Sequence, residues 1–371
     1  MVNELKKNVM AVITAYLQNK EFSQDIDTEQ LAKVHELLKR HDLAHLLGVV
    51  LLKSPENREK YKELAKAQFV AVMRYEKGRY AKEQIYNLFE ESAIPFMPLK
   101  GSVLCNYYHE PWHRTSCDID ILVPADNVEQ ATVLLIEKLN FQYQRRSEHD
   151  ISLQSPNGVH LELHYDFHEE NISVEDGWNS ASPIEGKKYH YALTSEAFIL
   201  HHIAHTAKHF KYGGCGIRFF IDLWILLRNM PYDKEILNRL IEEKGLKPFF
   251  ENAVHLTEVW FNDGRPDEMT EKMSDYILQS GIYGNEENRV AIDNIKIKSN
   301  YKYALSRIFQ SYDVLKARYP ILKKHRWLMP FCQVGRWFAL LRSGKIKNVQ
   351  NVDGNRETAV KNLLNELDLM Q

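Results

Sequence analysis

Leu99-Lys100-Gly101-Ser102-Val103-Leu104-Cys105-Asn106-Tyr107-Tyr108 leads, through a short polar connection, to Arg114-Thr115-Ser116-Cys117-Asp118-Ile119-Asp120-Ile121-Leu122-Val123. In an extended strand successive side chains point to opposite faces, so Asp118 and Asp120 share one face while Ile119 and Ile121 take the other. Two carboxylates held this close repel each other unless a cation neutralises them, and magnesium, bound through one or two carboxylates plus substrate phosphates, suits them. Upstream, Ile94-Pro-Phe-Met-Pro-Leu99 reads as an entering strand that stops at Lys100-Gly101-Ser102, where the chain turns into an amphipathic helix over residues 103–108. Glycine there admits a close backbone or phosphate, and the free N–H groups of a helix start attract an anion.

Composition sets the frame. The chain has 371 residues, enough for two or three domains, with 44% hydrophobic and 26% charged residues and a formal net charge of -2. Global charge therefore gives no support to a nucleic-acid partner, although local patches are compatible with one. Cys105, Cys117, Cys215 and Cys332 are widely spaced with no Cys-x-x-Cys pair, which argues against a zinc ribbon or a disulfide framework. The N-terminus lacks the apolar core of a signal peptide and no stretch is apolar enough to span a membrane, so a cytoplasmic protein is expected.

Outward from the central stretch, residues 3–89 read as helices. Val9, Val12, Ile13, Tyr16 and Leu17 recur at helical spacing, as do Leu31, Val34, Leu37 and Leu38; residues 43–52 suit a buried helix and 63–89 a long one passing Gly78. After Val123-Pro124 an acidic helix start precedes an apolar face of Val133, Leu134, Ile136 and Leu139. Three candidate strands follow: Phe141-Gln-Tyr-Gln, Ile151-Ser-Leu-Gln and residues 159–167. In the last of these Val159, Leu161, Leu163, Tyr165 and Phe167 alternate with His160, Glu162, His164, Asp166 and His168. One face is thus wholly acids and imidazoles, against the bland alternative of a solvated edge strand.

From Ser195 the pattern is helical again. His201, His205 and His209 are four apart and line one helical stripe, which suits either a polar wall of a cleft or, less simply, zinc or nickel, for which no closely spaced carboxylate or cysteine is evident. Residues 316–347 interleave Lys316, Arg318, Lys323, Lys324, His325, Arg326, Arg336, Arg342, Lys345 and Lys347 with Tyr319, Trp327, Phe331, Trp337 and Phe338. Such a stretch is either a grip for RNA or anionic lipid or an ordinary solvated basic face. A short amphipathic helix over residues 356–370 closes the chain.

The strand, the Gly-Ser turn into a helix and the Asp-x-Asp on a second strand resemble the nucleotidyltransferase superfamily of the polymerase-beta type. Leu99-Lys100-Gly101 and Arg114-x-x-x-Asp118-Ile-Asp120-Ile-Leu-Val123 resemble more closely still its uncharacterised bacterial nucleotidyltransferase family 5 branch. The resemblance implies an α+β fold, with a small mixed β-sheet core over residues 93–190 flanked by an N-terminal helical region (1–92) and a C-terminal helical domain (191–371). It implies transfer of a nucleoside monophosphate from a nucleoside triphosphate such as ATP to an acceptor, most simply a small molecule, with release of pyrophosphate. Asp118, Asp120 and a third carboxylate would hold magnesium, two ions by analogy; Glu162 matches the third position best and Asp166 is the fallback. Lys100, Gly101, Ser102 and Arg114 would hold the nucleotide, with Lys100 or Arg114 stabilising developing charge unless Arg114 pairs with Asp118 or Asp120. His164, Asp166, His205, His209 and Arg218 would line the cleft, the Arg218-x-x-x-Asp222 segment resembling the branch's helical half. Other readings are a nucleotide-binding regulatory or scaffold protein without turnover, and a toxin-like transferase acting on tRNA.

Overall fold

The computed structural model describes residues 2–22, 26–167, 169–282, 284–297, 309, 312, 315, 319–342 and 354–370. Helices α1 (Val2–Leu17), α2 (Thr28–Arg40), α3 (Ala44–Leu51), α4 (Pro55–Lys60) and α5 (Leu64–Glu91) come first. Their positions follow from the apolar spacing: Val9, Val12, Ile13, Val34 and Leu38 are fully buried. Asp27 caps α2 by accepting the Gln30 backbone N–H at 2.8 Å. Gly78 sits inside α5 without breaking it, because the helix is long enough to absorb the roughly 1 kcal/mol that glycine costs there.

A five-stranded sheet follows, built from β1 (Met97–Pro98), β2 (Asp118–Leu122), β3 (Gln142–Arg146), β4 (Asp150–Gln154) and β5 (His160–His164) in the order β1-β2-β5-β4-β3. β2 and β5 are parallel and the other pairs antiparallel, so the sheet is mixed as expected. Helix α7 (Val128–Leu139) makes the crossover. Ile119, Ile121, Ile151, Leu153, Leu161 and Leu163 form the apolar face and pack with Ile85 and Phe89 of α5 and with Val128, Ala131 and Leu135 of α7. The odd-numbered side is the core, and the even-numbered positions of β2, β4 and β5 carry polar groups except for Leu122, which joins the helical cluster.

Several elements are shorter than the sequence suggests. The expected strand over 94–99 contributes only Met97–Pro98 to the ladder. Pro95 and Pro98 have no N–H to give, and Phe96 instead bonds with Tyr189 and Tyr191 at 2.8 Å beside the hairpin of β6 (Ala181–Pro183) and β7 (Tyr191–Leu193). The expected helix over 103–108 is one turn, α6 (Gly101–Leu104), followed by a 3₁₀ turn at Cys105–Tyr107. β5 ends at His164, so the polar face is shorter than residues 159–167; His168 lies outside the described residues.

Beyond the sheet come α8 (Val174–Asn179), α9 (Ser195–Lys211), α10 (Ile217–Asn229), α11 (Lys234–Glu243), α12 (Lys247–Phe261), α13 (Glu268–Gln279) and α14 (Glu286–Ile297). They share a single hydrophobic cluster with α1 to α3: Val9, Ile13, Leu38 and Leu47 belong to it together with Phe210, Phe220, Phe249 and Phe261. Helices α15 (Met329–Arg342) and α16 (Gly354–Glu366) follow, and α16 seats Leu363 and Leu364 in the same cluster. Of the basic aromatic stretch, Lys316, Arg318, Lys345 and Lys347 and the side chains of Lys323, Phe338 and Arg342 lie outside the described residues. Within it Trp327 and Phe331 are exposed and Arg336 is buried. Among the described residues no helix is long and apolar enough to cross a membrane.

Candidate active site

The parallel pairing of β2 with β5 sets Asp118 opposite His160, Asp120 opposite Glu162 and Leu122 opposite His164. With a side-chain period of two, Asp118, Asp120, His160, Glu162 and His164 all emerge on the face turned away from the α5/α7 core. Asp120 is 3% exposed. One of its oxygens, Oδ1, accepts from Lys100 Nζ at 2.8 Å and meets His164 Nε2 at 2.9 Å. Burial alone would raise the Asp120 carboxyl, but the Lys100 ammonium and His164 outweigh it and hold the group well below the usual carboxylate range. Glu162 goes the other way: partial burial, then the charge of Asp120, raises it.

Local backbone fixes the first aspartate. Ser116 Oγ donates to Asp118 Oδ1 at 2.9 Å. A Cβ at position 101 would stand 2.9 Å from that same Ser116 oxygen, so only glycine lets the β1–α6 turn close over it. Lys100, just before it, is held at φ +46°, a conformation that costs a non-glycine residue about 1–3 kcal/mol and that carries its ammonium to Asp120.

The residues fit a divalent cation. Ligand atoms of Asp118, His160 and Glu162 lie within 4.8 Å of one another, and so do those of Asp120, Glu162 and His164. Carboxylate oxygens with Glu162 shared between the two groups suit hard cations, and each imidazole adds a nitrogen that manganese or zinc accepts more readily than magnesium does. Among the described residues the stripe of His201, His205 and His209 forms no such group.

The facing wall is helical. A cavity of about 620 Å³ separates the acids of the sheet from His201, His202, His205, Lys208 and His209 of α9 and from Arg218, Phe219 and Asp222 of α10. Glu169, from the loop after β5, is engaged with this wall, at 2.8 Å from His205 Nδ1 and 3.7 Å from His201 Nε2. Burial would raise its carboxyl, yet these two imidazoles lower it. Burial pushes His201 down to about 4 and His209 down to about 3, so both are neutral near pH 7.

Two expected site residues have partners that the sequence did not indicate. Arg114 pairs with neither Asp118 nor Asp120; its Nε lies 2.8 and 3.0 Å from the two oxygens of Asp222, which also accepts from Tyr108 at 2.6 Å. Its guanidinium is thereby tied to α10, although the side chain still borders the cavity. Asp166 falls past the end of β5, meets His149 Nδ1 at 3.1 Å and does not border the cavity, whereas Glu162 does. Arg218 lines the cavity while its NH2 group donates to Asp42 at 2.6 Å and its NH1 group to the Thr115 carbonyl at 2.8 Å. Glu169 and Asp42 were missed, and no spacing rule could have found them, because each reaches its partner across the tertiary fold.

Ser102 borders a second cavity, about 400 Å³, that meets the first at Gly101, Arg114, Ser116 and Asp118. Its other wall is α5, with Arg74, Lys77, Arg79 and Lys82.

A strand-borne Asp-x-Asp beside a Gly-Ser turn, with a third acid in register on the neighbouring parallel strand, is the arrangement of a nucleotidyltransferase core. Residues 27–262 match the family described as uncharacterised nucleotidyltransferase, and the chain belongs to that family. No curated protein matches the sequence. Among solved structures, ANT(2″)-Ia in complex with adenylyl-2″-tobramycin is similar at 11% identity and a TM-score of 0.36, covering 45% of this chain and 97% of that one. The lincomycin-bound lincosamide antibiotic adenylyltransferase LnuA is similar at 15% identity and a TM-score of 0.29, over 40% and 94% of the two chains. An antigenic nucleotidyltransferase-like protein from Paracoccidioides brasiliensis is similar at 15% identity and a TM-score of 0.29, over 50% and 90%. The assignment rests on the family match.

Proposed function

We propose that the chain transfers a nucleoside monophosphate from a nucleoside triphosphate to a small-molecule acceptor, and that Asp118, Asp120 and Glu162 are its catalytic acids. The observation that carries this reading is the register of β2 against β5, which sets Asp120 beside Glu162 on the sheet face that opens into the larger cavity. These acids, with His160 and His164 beside them, would hold divalent metal, which the family's chemistry calls for and which magnesium would supply. Bound there, such an ion neutralises charge on the phosphates and activates an attacking oxygen.

The smaller cavity is the place for the polyphosphate. Gly101, Ser102 and Ser116 give it a close, polar backbone edge, and Arg74, Lys77 and Lys82 of α5 give it positive charge. The α-phosphorus then lies where the cavities meet, at Asp118. An acceptor hydroxyl coming from the larger cavity attacks it, the bond to the β-phosphate oxygen breaks, and pyrophosphate leaves as the acceptor's proton passes to solvent or a carboxylate. Lys100 stands beside the reacting centre to offset developing charge. Arg114 positions α10 through Asp222 and bounds both cavities.

Calorimetric titration of each ribonucleoside triphosphate, with and without magnesium, tests the reading on the wild type and on the double variant Asp118→Asn with Asp120→Asn. Magnesium-dependent binding lost in the double variant, with an unchanged unfolding transition, is the expected result. Binding of no triphosphate by the wild type, or equal binding by the double variant, overturns it.

A further inference from the structure

The charged groups around the large cavity are unequally satisfied. Lys100 meets Asp120 at 2.8 Å, Arg114 meets Asp222 at 2.8 Å, Arg145 meets Glu162 at 3.7 Å and Arg218 meets Asp42 at 2.6 Å. Lys208, half-buried on α9 and bordering the same cavity, makes no hydrogen bond and no ion pair through its ammonium among the described residues. The carboxylate of its own wall, Glu169, is already engaged by His205 and His201. A cationic ligand on this wall would therefore meet an ammonium that has no ion pair, only the charge of Glu162 across the cavity, and no free acid on α9.

The rest of the wall suits hydroxyl groups. His201 is 2% exposed, and its Nε2, 3.7 Å from Glu169, makes no hydrogen bond among the described residues, so a bound hydroxyl would supply one. The rings of His205 and His209 pack against Phe219 with centroids 5.8 and 5.3 Å away, which makes a flat, ring-lined surface with polar edges. Burial, and then the charge of Lys100, lowers the Lys208 ammonium to about 8, so it is still mostly charged near neutral pH.

Resting on the transferase reading above, we infer that the α9 wall is the acceptor site and that it takes a small hydroxylated molecule carrying an anionic group, a phosphate or a carboxylate, which Lys208 binds. A charge-assisted hydrogen bond at a partly desolvated site is worth about tenfold or more in affinity.

The test uses the full chain with its nucleotide site first saturated by magnesium and the ATP analogue whose α–β bridge is methylene. Glucose, glucose 6-phosphate, gluconate and glucosamine, which share one carbon frame and differ in charge, are then titrated in. The expected result is that glucose 6-phosphate or gluconate binds at least about tenfold more tightly than glucose, with glucosamine weakest. Which of the two anions binds better distinguishes a phosphate from a carboxylate acceptor. Lys208→Met is expected to erase the preference and Lys208→Arg to keep most of it, with affinity for the analogue within about twofold throughout. The inference is overturned if glucosamine binds as well as the anions, if the preference survives in Lys208→Met, or if neither anion binds while the analogue does. If no methylene-bridged analogue of any of the four ribonucleoside triphosphates binds, the transferase reading is overturned instead.

Discussion

Asp120 and Asp222 are both almost wholly buried, at 3% and 1% exposure, and each faces a cation and a second hydrogen-bonding group. Their partners differ in kind. Asp222 is held through both oxygens by the Nε of Arg114, and a tyrosine hydroxyl completes its shell. Asp120 is approached on one oxygen only, by a lysine whose side chain is 21% exposed and whose backbone sits at a strained positive φ. A planar guanidinium locks geometry, whereas an ammonium on a flexible stem is a point charge that another cation can replace. One pair is built to stay closed and the other leaves a carboxylate able to change partners.

The largest effect is expected from breaking the closed pair. Asp222→Ala leaves Arg114 charged and unpaired in the interior, and chemical denaturation is expected to show a loss of about 3–5 kcal/mol. A loss under about 1 kcal/mol would show that the two aspartates are energetically alike.

Acid separates the neighbours of the two pairs next. Burial lowers His45, His201 and His202 to about 4 each. Their unfolded value is about 6.5, so below that pH the unfolded chain takes up protons that the native chain refuses. Stability is therefore fully present above about pH 6.5 and falls as pH drops toward 4, by up to about 1.4 kcal/mol per pH unit for each imidazole. Asp120 is held below the usual carboxylate range, so its contribution is lost mainly below about pH 4. Calorimetric midpoints measured from pH 7.5 to 4.5 are expected to be flat and then to fall; a rise on acidification would contradict the burial of neutral imidazoles.

The smallest effect concerns the open pair. Lys100→Met is expected to cost about 1–2 kcal/mol in chelator, because His164 still meets the same oxygen. It is also expected to tighten manganese binding about tenfold in direct titration, since the competing ammonium is gone. Equal manganese affinity in wild type and variant would show that Lys100 and the ion do not share Asp120.

How much of this could be read from the sequence follows the same division. The acids of β2 and β5 were readable because a two-residue period sorts side chains onto faces with no knowledge of the rest of the molecule. The α9 histidines were readable as a stripe for the equivalent reason at helical period. What the histidines do was not: Glu169, which ties His201 and His205 together, comes from a loop whose path only the packed fold defines. The resemblance gives Arg114 as a nucleotide ligand, and Arg114 does border both cavities, but its ion pair with Asp222 on α10 could not be read from the sequence. Likewise β1 was overlong in prospect, since two prolines in an apolar run leave the hydropathy pattern intact while removing donors from the ladder.

The hydrophobic cluster common to the first helices and to α9–α13 has a consequence for how the chain is made. Ile13 and Leu47 lie in one buried cluster with Phe210 and Phe261, which leave the ribosome roughly 200 residues later. At about 5–20 residues per second that interval is on the order of 10–40 s. Through it the amino-terminal helices can pack only on one another, as α1, α2 and α3 do, and lack their later partners. The segment carrying the acids is synthesised in the meantime, so its polar cleft acquires a far wall only when the last partners of those early helices arrive.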